Sequence, residues 1–353
     1  MTKTKLGMNR RQILAGASAI GIGGIVAPAI TGSALAQSKS ITVVSWGGSL
    51  VEAMKKHWIV PFTKETGINV AVADGPDLAK LKAQSIMGRS EWDVFDASGA
   101  VALAGTKQGF WAPLDRDVIK SDNLKLPASE HRVGMYFFAG GIAFNPKTHP
   151  EGKHPTNFKE FFDAKAFPGK RALRTRVSEM LEIALIADGV APKDLYPLDV
   201  ERAFRKLDTI KPIVTKWVEQ TPQTISLIQN GEVDYSYTYS NRAKVAQESG
   251  ASIDFALQQV LLGVSYLTVP KASPNKPEAM QFIAFILRPD RQAAFADELG
   301  LLPNNQKAVP LMSEASRKWV PNLEGPNSAI LNDEWWGENF DKLQARFKQW
   351  LLI

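Results

Sequence analysis

Three observations predict an α/β protein of two domains. Short β-branched runs alternate with helical stretches along the chain, which implies a mostly parallel sheet covered by helices on both faces. At 353 residues the chain exceeds the usual single-domain size. Finally, a strand-like run at 41–44 breaks at Trp46-Gly47-Gly48 before a helical pattern starts at Ser49. That puts a glycine loop at the carboxyl edge of a sheet, where open α/β folds bind ligands. Trp46 is then either a core residue or the wall of a site, and two glycines directly behind it favour the site.

Residues 1–36 read as an export signal. Lys3, Lys5, Arg10 and Arg11 precede an apolar, Gly/Ala-rich run at 13–30, which ends in Ala34-Leu35-Ala36. The Asn9-Arg10-Arg11-Gln12-Ile13-Leu14 stretch is similar to a twin-arginine signal, and the run is weak for a membrane-spanning helix. Cleavage after about Ala36 into a periplasm is expected. The segment carries four basic residues and no acids, so the net charge falls from +6 to +2 in the mature chain. A nucleic-acid or membrane-surface protein is therefore not indicated. With no cysteine there are no disulfides, thiol nucleophiles or thiolate metal sites.

Further along, Gly67 is placed to stop the first helix, and 68–72 reads as a strand. A turn at 74–77 leads to an amphipathic helix at 78–87. A third strand, 92–96, ends in a small-residue loop at 97–100. Another buried strand covers 136–145. After a Pro-rich connection come a helix near 157–165, a basic strand at 170–174, and a helix at 178–188 closed by Gly189. Helices are expected at 199–211 and 215–220. The run 231–239 alternates like a strand and ends in Ser240-Asn241-Arg242. A strand at 266–269 stops at Pro270, and 277–287 is a strongly apolar helix. A tail with Trp335, Trp336 and Trp350 is expected to pack across the outside.

Catalytic patterns are missing. There is no phosphate loop, no His-Glu-x-x-His and no nucleophile elbow. Of four histidines, His131, His149 and His154 fall in loops and His57 on a helix face. Paired carboxylates such as Glu179 and Glu182 have a spacing common on solvated helix faces. The chain reads as a binding protein, not an enzyme, with no cofactor and no metal. An exported hydrolase or lyase is the alternative from another class.

Several stretches resemble one family. They are Val44-Ser45-Trp46-Gly47-Gly48, Phe62-Thr63-Lys64-Glu65-Thr66-Gly67-Ile68, Trp92-Asp93-Val94, and Leu181-Glu182-Ile183-Ala184-Leu185-Ile186-Ala187-Asp188-Gly189. Val269-Pro270-Lys271-Ala272-Ser273-Pro274-Asn275 and Pro303-Asn304-Asn305 extend the pattern. The chain resembles the periplasmic solute-binding proteins of ABC importers, in the branch that includes putrescine- and spermidine-binding members. The resemblance implies a two-lobed type II fold with ligand clamped between lobes by hinge closure. It also implies a monomer that delivers to a membrane permease and ATPase. The expected division is 37–143 and 263–312 for lobe 1, 144–262 for lobe 2, and 313–353 as a C-terminal helical segment on lobe 2.

In polyamine binders, aromatic walls hold the methylene chain and acids hold the ammonium ends. By resemblance Trp46 and Tyr239 match aromatic walls and Glu179 matches one acid. The acid expected a turn earlier becomes Arg176, and a Trp and an Asp before Val269 become Gly263 and Ser265. Arg242 adds another cation. Arginine suits a carboxylate through its planar fork, so the favoured ligand is a zwitterionic ω-amino acid such as 4-aminobutyrate. Gly47, Ser98, Gly99 and Tyr266 complete the candidate site, with Ser98 and Gly99 donating to a carboxylate. Arg171, Arg174 and Arg176 are alternatively a solvated strand edge, and Glu179 a helix N-terminal acid favoured by the dipole. The runner-up ligand is a polyamine, with Asp74, Asp77, Asp96 or Glu179 as its acids.

Overall fold

The computed structural model describes residues 39–352 apart from 321, 324 and 326. The expected export signal, 1–36, lies outside the described residues. The first strand, β1 (Ser40–Ser45), is rich in β-branched residues and buried at Ile41 and from Val43 to Ser45. The helix Ser49–Met54 passes through a π-helical stretch, Lys55–Ile59, into Val60–Thr66, and Gly67 at φ 74° ends it in the left-handed region. Strand β2 (Asn69–Asp74) pairs parallel with β1. After the helix Leu78–Ile86, β3 (Val94–Ser98) pairs parallel with β1 on its other side.

The middle of the sheet departs from the expected parallel arrangement. Strand β4 (Val133–Phe144) is 12 residues long. Strands β5 (Arg171–Arg174), β6 (Val214–Val218) and β7 (Tyr235–Tyr239) are short. Then β8 (Asp254–Thr268) runs for 15 residues. The sheet order is β2-β1-β3-β8-β4-β7-β5-β6. The two wings are parallel within themselves, but β8 is antiparallel to β3 and β4, and β4 is antiparallel to β7. Two short strands, β9 (Leu302–Pro303) and β10 (Ala329–Ile330), pair with β4 and β8. Long β4 and β8 therefore tie the β2-β1-β3 wing to the β7-β5-β6 wing, and helices flank the sheet.

Several local expectations change. The third strand lies two residues further on, so Ala97 and Ser98 end β3, and Gly99 opens a helix, Gly99–Lys107. The stretch expected as a helix at 215–220 contains β6, whose Val-Thr-Lys-Trp-Val side chains favour an extended chain and which pairs with β5. A helix follows it at Gln223–Gln229. Strand β8 is far longer than 266–269 because it is buried on both faces through its second half and so shows no alternation. Ser240-Asn241-Arg242 are the first turn of a helix, Ser240–Glu248, instead of a strand end.

The C-terminal tail buries one face and leaves the other exposed. Its helix, Asp333–Leu352, lies against both the Gly99–Lys107 helix and the helix Val177–Ala187. Trp336 is 0% exposed and donates from Nε1 to Glu182 Oε1 at 2.6 Å. Trp336→Ala should cost about 3–5 kcal/mol of unfolding free energy, read from urea denaturation. A loss under about 1 kcal/mol would mean the helix is not integral to the fold.

Candidate functional site

Both wings end their parallel strands at one cleft. Trp46 follows β1, Ser98 ends β3, Arg176 follows β5, Thr221 follows β6, and Tyr239 ends β7. Tyr136 and Phe138 from β4 and Ser265 from β8 form the floor, and Leu50, Asn241 and Arg242 line the sides. The convergence of carboxyl ends is the general ligand site of open α/β sheets.

The turn after β1 is built for close approach. Gly47 and Gly48 have φ of 69° and 59°. A Cβ on Gly48 would come within 2.9 Å of both Arg242 Nη1 and Pro222, so glycine serves here for conformation and for space. With no side chain in the way, Arg242 donates to the Gly47 carbonyl at 2.7 Å and to Ser49 Oγ at 3.3 Å. Arg176, from the other side of the same turn, places its guanidinium 4.4 Å from the Trp46 ring centroid. Two arginines of the β7-β5-β6 wing thus rest on one turn of the opposite wing.

Glu179 anchors this arrangement from beneath. It is 1% exposed, and its carboxylate accepts from Arg176 Nη1 at 3.2 Å, from Tyr237 Oη at 2.9 Å, and from Tyr239 Oη at 3.0 Å. Its backbone is left-handed, φ 80° and ψ −42°, the one such non-glycine residue among those described. Backbone conformations of this kind cost of order 1–3 kcal/mol and persist where their surroundings enforce them. Here the enforcement includes the Glu182 side chain, whose Oε2 accepts the Glu179 amide at 2.8 Å. Gly140 of β4 supplies room, since a Cβ there would run into the Tyr237 hydroxyl.

Electrostatics follow burial. Burial works against the charge on Arg176, yet Tyr239 and Glu179 beside it carry its pKa above the ordinary value. Burial lowers Arg242 to about 10 and lowers Arg174 as well. Asp96, beneath the floor, is pushed up by burial despite accepting from Ser265 Oγ at 2.5 Å and Ser45 Oγ at 2.7 Å.

Of the residues singled out in the sequence, Trp46, Ser98, Arg176, Tyr239 and Arg242 line the cleft. Gly47 and Glu179 do not line it, but the Gly47 carbonyl accepts from Arg242 and the Glu179 carboxylate from Arg176. Gly99 and Tyr266 face elsewhere. A Cβ on Gly99 would collide with the Asp333 carboxylate, to which Tyr266 Oη donates at 2.8 Å. Along β8 the side chains alternate, so Ser265 takes the cleft position beside Tyr266. Tyr136, Phe138, Thr221 and Asn241 carry no sequence signal that separates them from core or loop residues. Asn241 alone was within reach, as the residue between Ser240 and Arg242. Among the described residues no group of three or more His, Asp or Glu side chains is placed to hold a metal ion, and no helix is long and apolar enough to cross a membrane.

Comparison with known proteins places the chain in a family. The sequence profile of the family "Bacterial extracellular solute-binding protein" matches residues 57–321. The gamma-aminobutyric acid-binding protein of Pseudomonas aeruginosa is 30% identical over 332 residues, 91% of this chain and 94% of the relative. The solved structure of the binding protein AgtB from A. tumefaciens R10 with agropinic acid superposes with a TM-score of 0.83 at 32% identity, covering 89% of this chain and 99% of that one. The structure of the Atu4243 GABA receptor gives 0.79 at 31% identity, with 89% and 98% covered.

Glu182 offers a test of the support beneath the site. Its oxygens also accept from Tyr196 Oη at 2.5 Å and Trp336 Nε1, and burial raises its pKa from 4.5 to about 7. The folded protein binds this proton more tightly than the unfolded chain, so the stabilising effect is full below pH 4.5. It is lost as the pH rises to about 7, at about 1.4 kcal/mol per unit. Glu182→Gln should therefore show a flatter fall in urea midpoint between pH 5 and 7 than the parent. Parallel curves for the two proteins would contradict this assignment.

Proposed function

The chain belongs to the bacterial extracellular solute-binding protein family, and from that premise we propose that it captures a small amino compound by its carboxylate for an ABC importer. The simplest ligand of this class is an ω-amino acid such as 4-aminobutyrate. One observation carries the reading: Arg176 and Arg242 meet on the Trp46-Gly47-Gly48 turn at the mouth of an aromatic cavity. A carboxylate is the group that two converging guanidiniums recognise best. Trp46, Tyr239, Phe138 and Tyr136 present apolar faces to a methylene chain, and aromatic faces also stabilise an ammonium. The GABA-binding relative and GABA receptor named above support the same class.

A polyamine fits less well. It needs free acids, and Glu179 already holds three donors while burial favours the neutral form of Asp96. The protein does no chemistry on its ligand in this reading. It works in the periplasm after removal of residues 1–36, and closes 37–143 with 263–312 on 144–262 about the β4 and β8 crossovers. It then delivers the ligand to a permease and ATPase as a monomer.

Isothermal titration of the mature protein, refolded to strip carried-over ligand, tests this. We expect micromolar or tighter binding of 4-aminobutyrate, no heat from putrescine or spermidine, and a loss of at least tenfold in affinity in Arg176→Ala and in Arg242→Ala. Tight putrescine binding with 4-aminobutyrate silent would overturn the reading.

A further inference from the structure

The floor of the cleft carries a row of hydroxyls. Ser265 on β8 pairs with Ser98 on β3 and with Tyr136 on β4, and all three line the cavity. Residues directly opposite on neighbouring strands share one face of a sheet. Ser265 is 2% exposed, and its Oγ donates to Asp96 Oδ1 at 2.5 Å. Asp96 stands two residues before Ser98 on the same strand and is 0% exposed. Its other oxygen accepts from Ser45 Oγ at 2.7 Å. The two buried acids near the cleft therefore differ. Glu179 has a cation bonded to it, Arg176 at 3.2 Å, whereas the hydrogen-bond partners of Asp96 are two neutral serines.

A serine hydroxyl has one proton and two lone pairs. With that proton committed to Asp96, Ser265 offers the cavity an acceptor backed by a carboxylate, which suits a positively charged donor. Beside it, Ser98 Oγ is buried with no hydrogen-bond partner, and an ammonium brings three donors. Tyr136 and Phe138 add aromatic faces to the same floor. We infer that the ligand's ammonium is seated on Ser265 Oγ, and that Asp96 is the positioning residue that makes Ser265 an acceptor. This deepens the proposed function and rests on it. The carboxylate end meets Arg176 and Arg242, which come from the β7-β5-β6 wing. The ammonium end meets the floor that β8 shares with β3 of the other wing, so the ligand ties the two wings together. Burial drives Asp96 toward its neutral form, and an ammonium one hydroxyl away offsets that. The seat serves one ammonium, and the far end of a diamine would face two guanidiniums.

The test titrates 4-aminobutyrate and 4-hydroxybutanoate, which differ only in the end group, into the mature protein. The amine should bind at least tenfold tighter. Asp96→Asn keeps the shape and removes the charge, and Ser265→Ala removes the acceptor. In each variant the ratio should fall below threefold. A merely structural role weakens both ligands alike, so an unchanged ratio in either variant overturns the inference. Equal binding of the two ligands by the wild type overturns it too. Should the variants fail to fold, a crystal structure of the wild type with 4-aminobutyrate decides. An ammonium nitrogen within about 3.2 Å of Ser265 Oγ is the expected result. A carboxylate on Arg176 and Arg242 with the ammonium away from Ser265 removes this inference and leaves the proposed function standing. Silence of both ligands beside tight putrescine binding removes the proposed function as well.

Discussion

The structure depends on two guanidiniums resting on one glycine turn. Arg242 reaches the Gly47 carbonyl and Arg176 covers the Trp46 ring, and both reach across from the opposite wing. The Arg242 contact does not survive a side chain at Gly48, where the left-handed backbone and the Arg242 approach coincide. Cations in such a place need compensation, because an arginine taken out of water without a partner is costly. Much of the surrounding architecture supplies it.

The compensation runs from the cleft to the last helix through a continuous set of contacts. Glu179 turns its carboxylate to Arg176 by adopting a left-handed backbone, and Tyr237 and Tyr239 fix the oxygens. Gly140 of β4 leaves the space that Tyr237 fills. Glu182 holds the Glu179 amide and is itself held by Tyr196 and Trp336. The C-terminal helix further binds this region through Gln344, which accepts from the Val177 amide at 3.1 Å. A helix far along the chain thus stabilises the strained residue on which the arginine depends.

The sequence made part of this legible. The strand-glycine-helix signature at 41–50 located the cleft because a carboxyl edge is a local feature. Comparison with the family pattern pointed to Arg176 in place of an acid, to Tyr239 as an aromatic wall, and to Arg242 as a further cation. What local reasoning missed is long-range. Tyr136 and Phe138 look like core because both faces of β4 are covered, and only the crossing of β4 and β8 between wings turns one face to the cleft. Glu179 reads as a helix N-terminal acid, but three partners separated from it by up to 60 residues bury it. Gly99 and Tyr266 are expected at the site, but Asp333, from the last helix, occupies the space beside Gly99 and accepts from Tyr266. The parallel wings are the expected ones, whereas the antiparallel pairing of β4 and β8 leaves no periodic trace, since pairing direction at a crossover is set by topology.

A crystal structure of the mature protein with 4-aminobutyrate, at a concentration that saturates it, tests the central claim most directly. The account predicts that the ligand carboxylate lies within about 3.2 Å of guanidinium nitrogens of Arg176 and Arg242, with the methylene chain between Trp46 and Tyr239. A ligand bound in the cleft with its ammonium toward those arginines, or with its carboxylate in solvent, would contradict it.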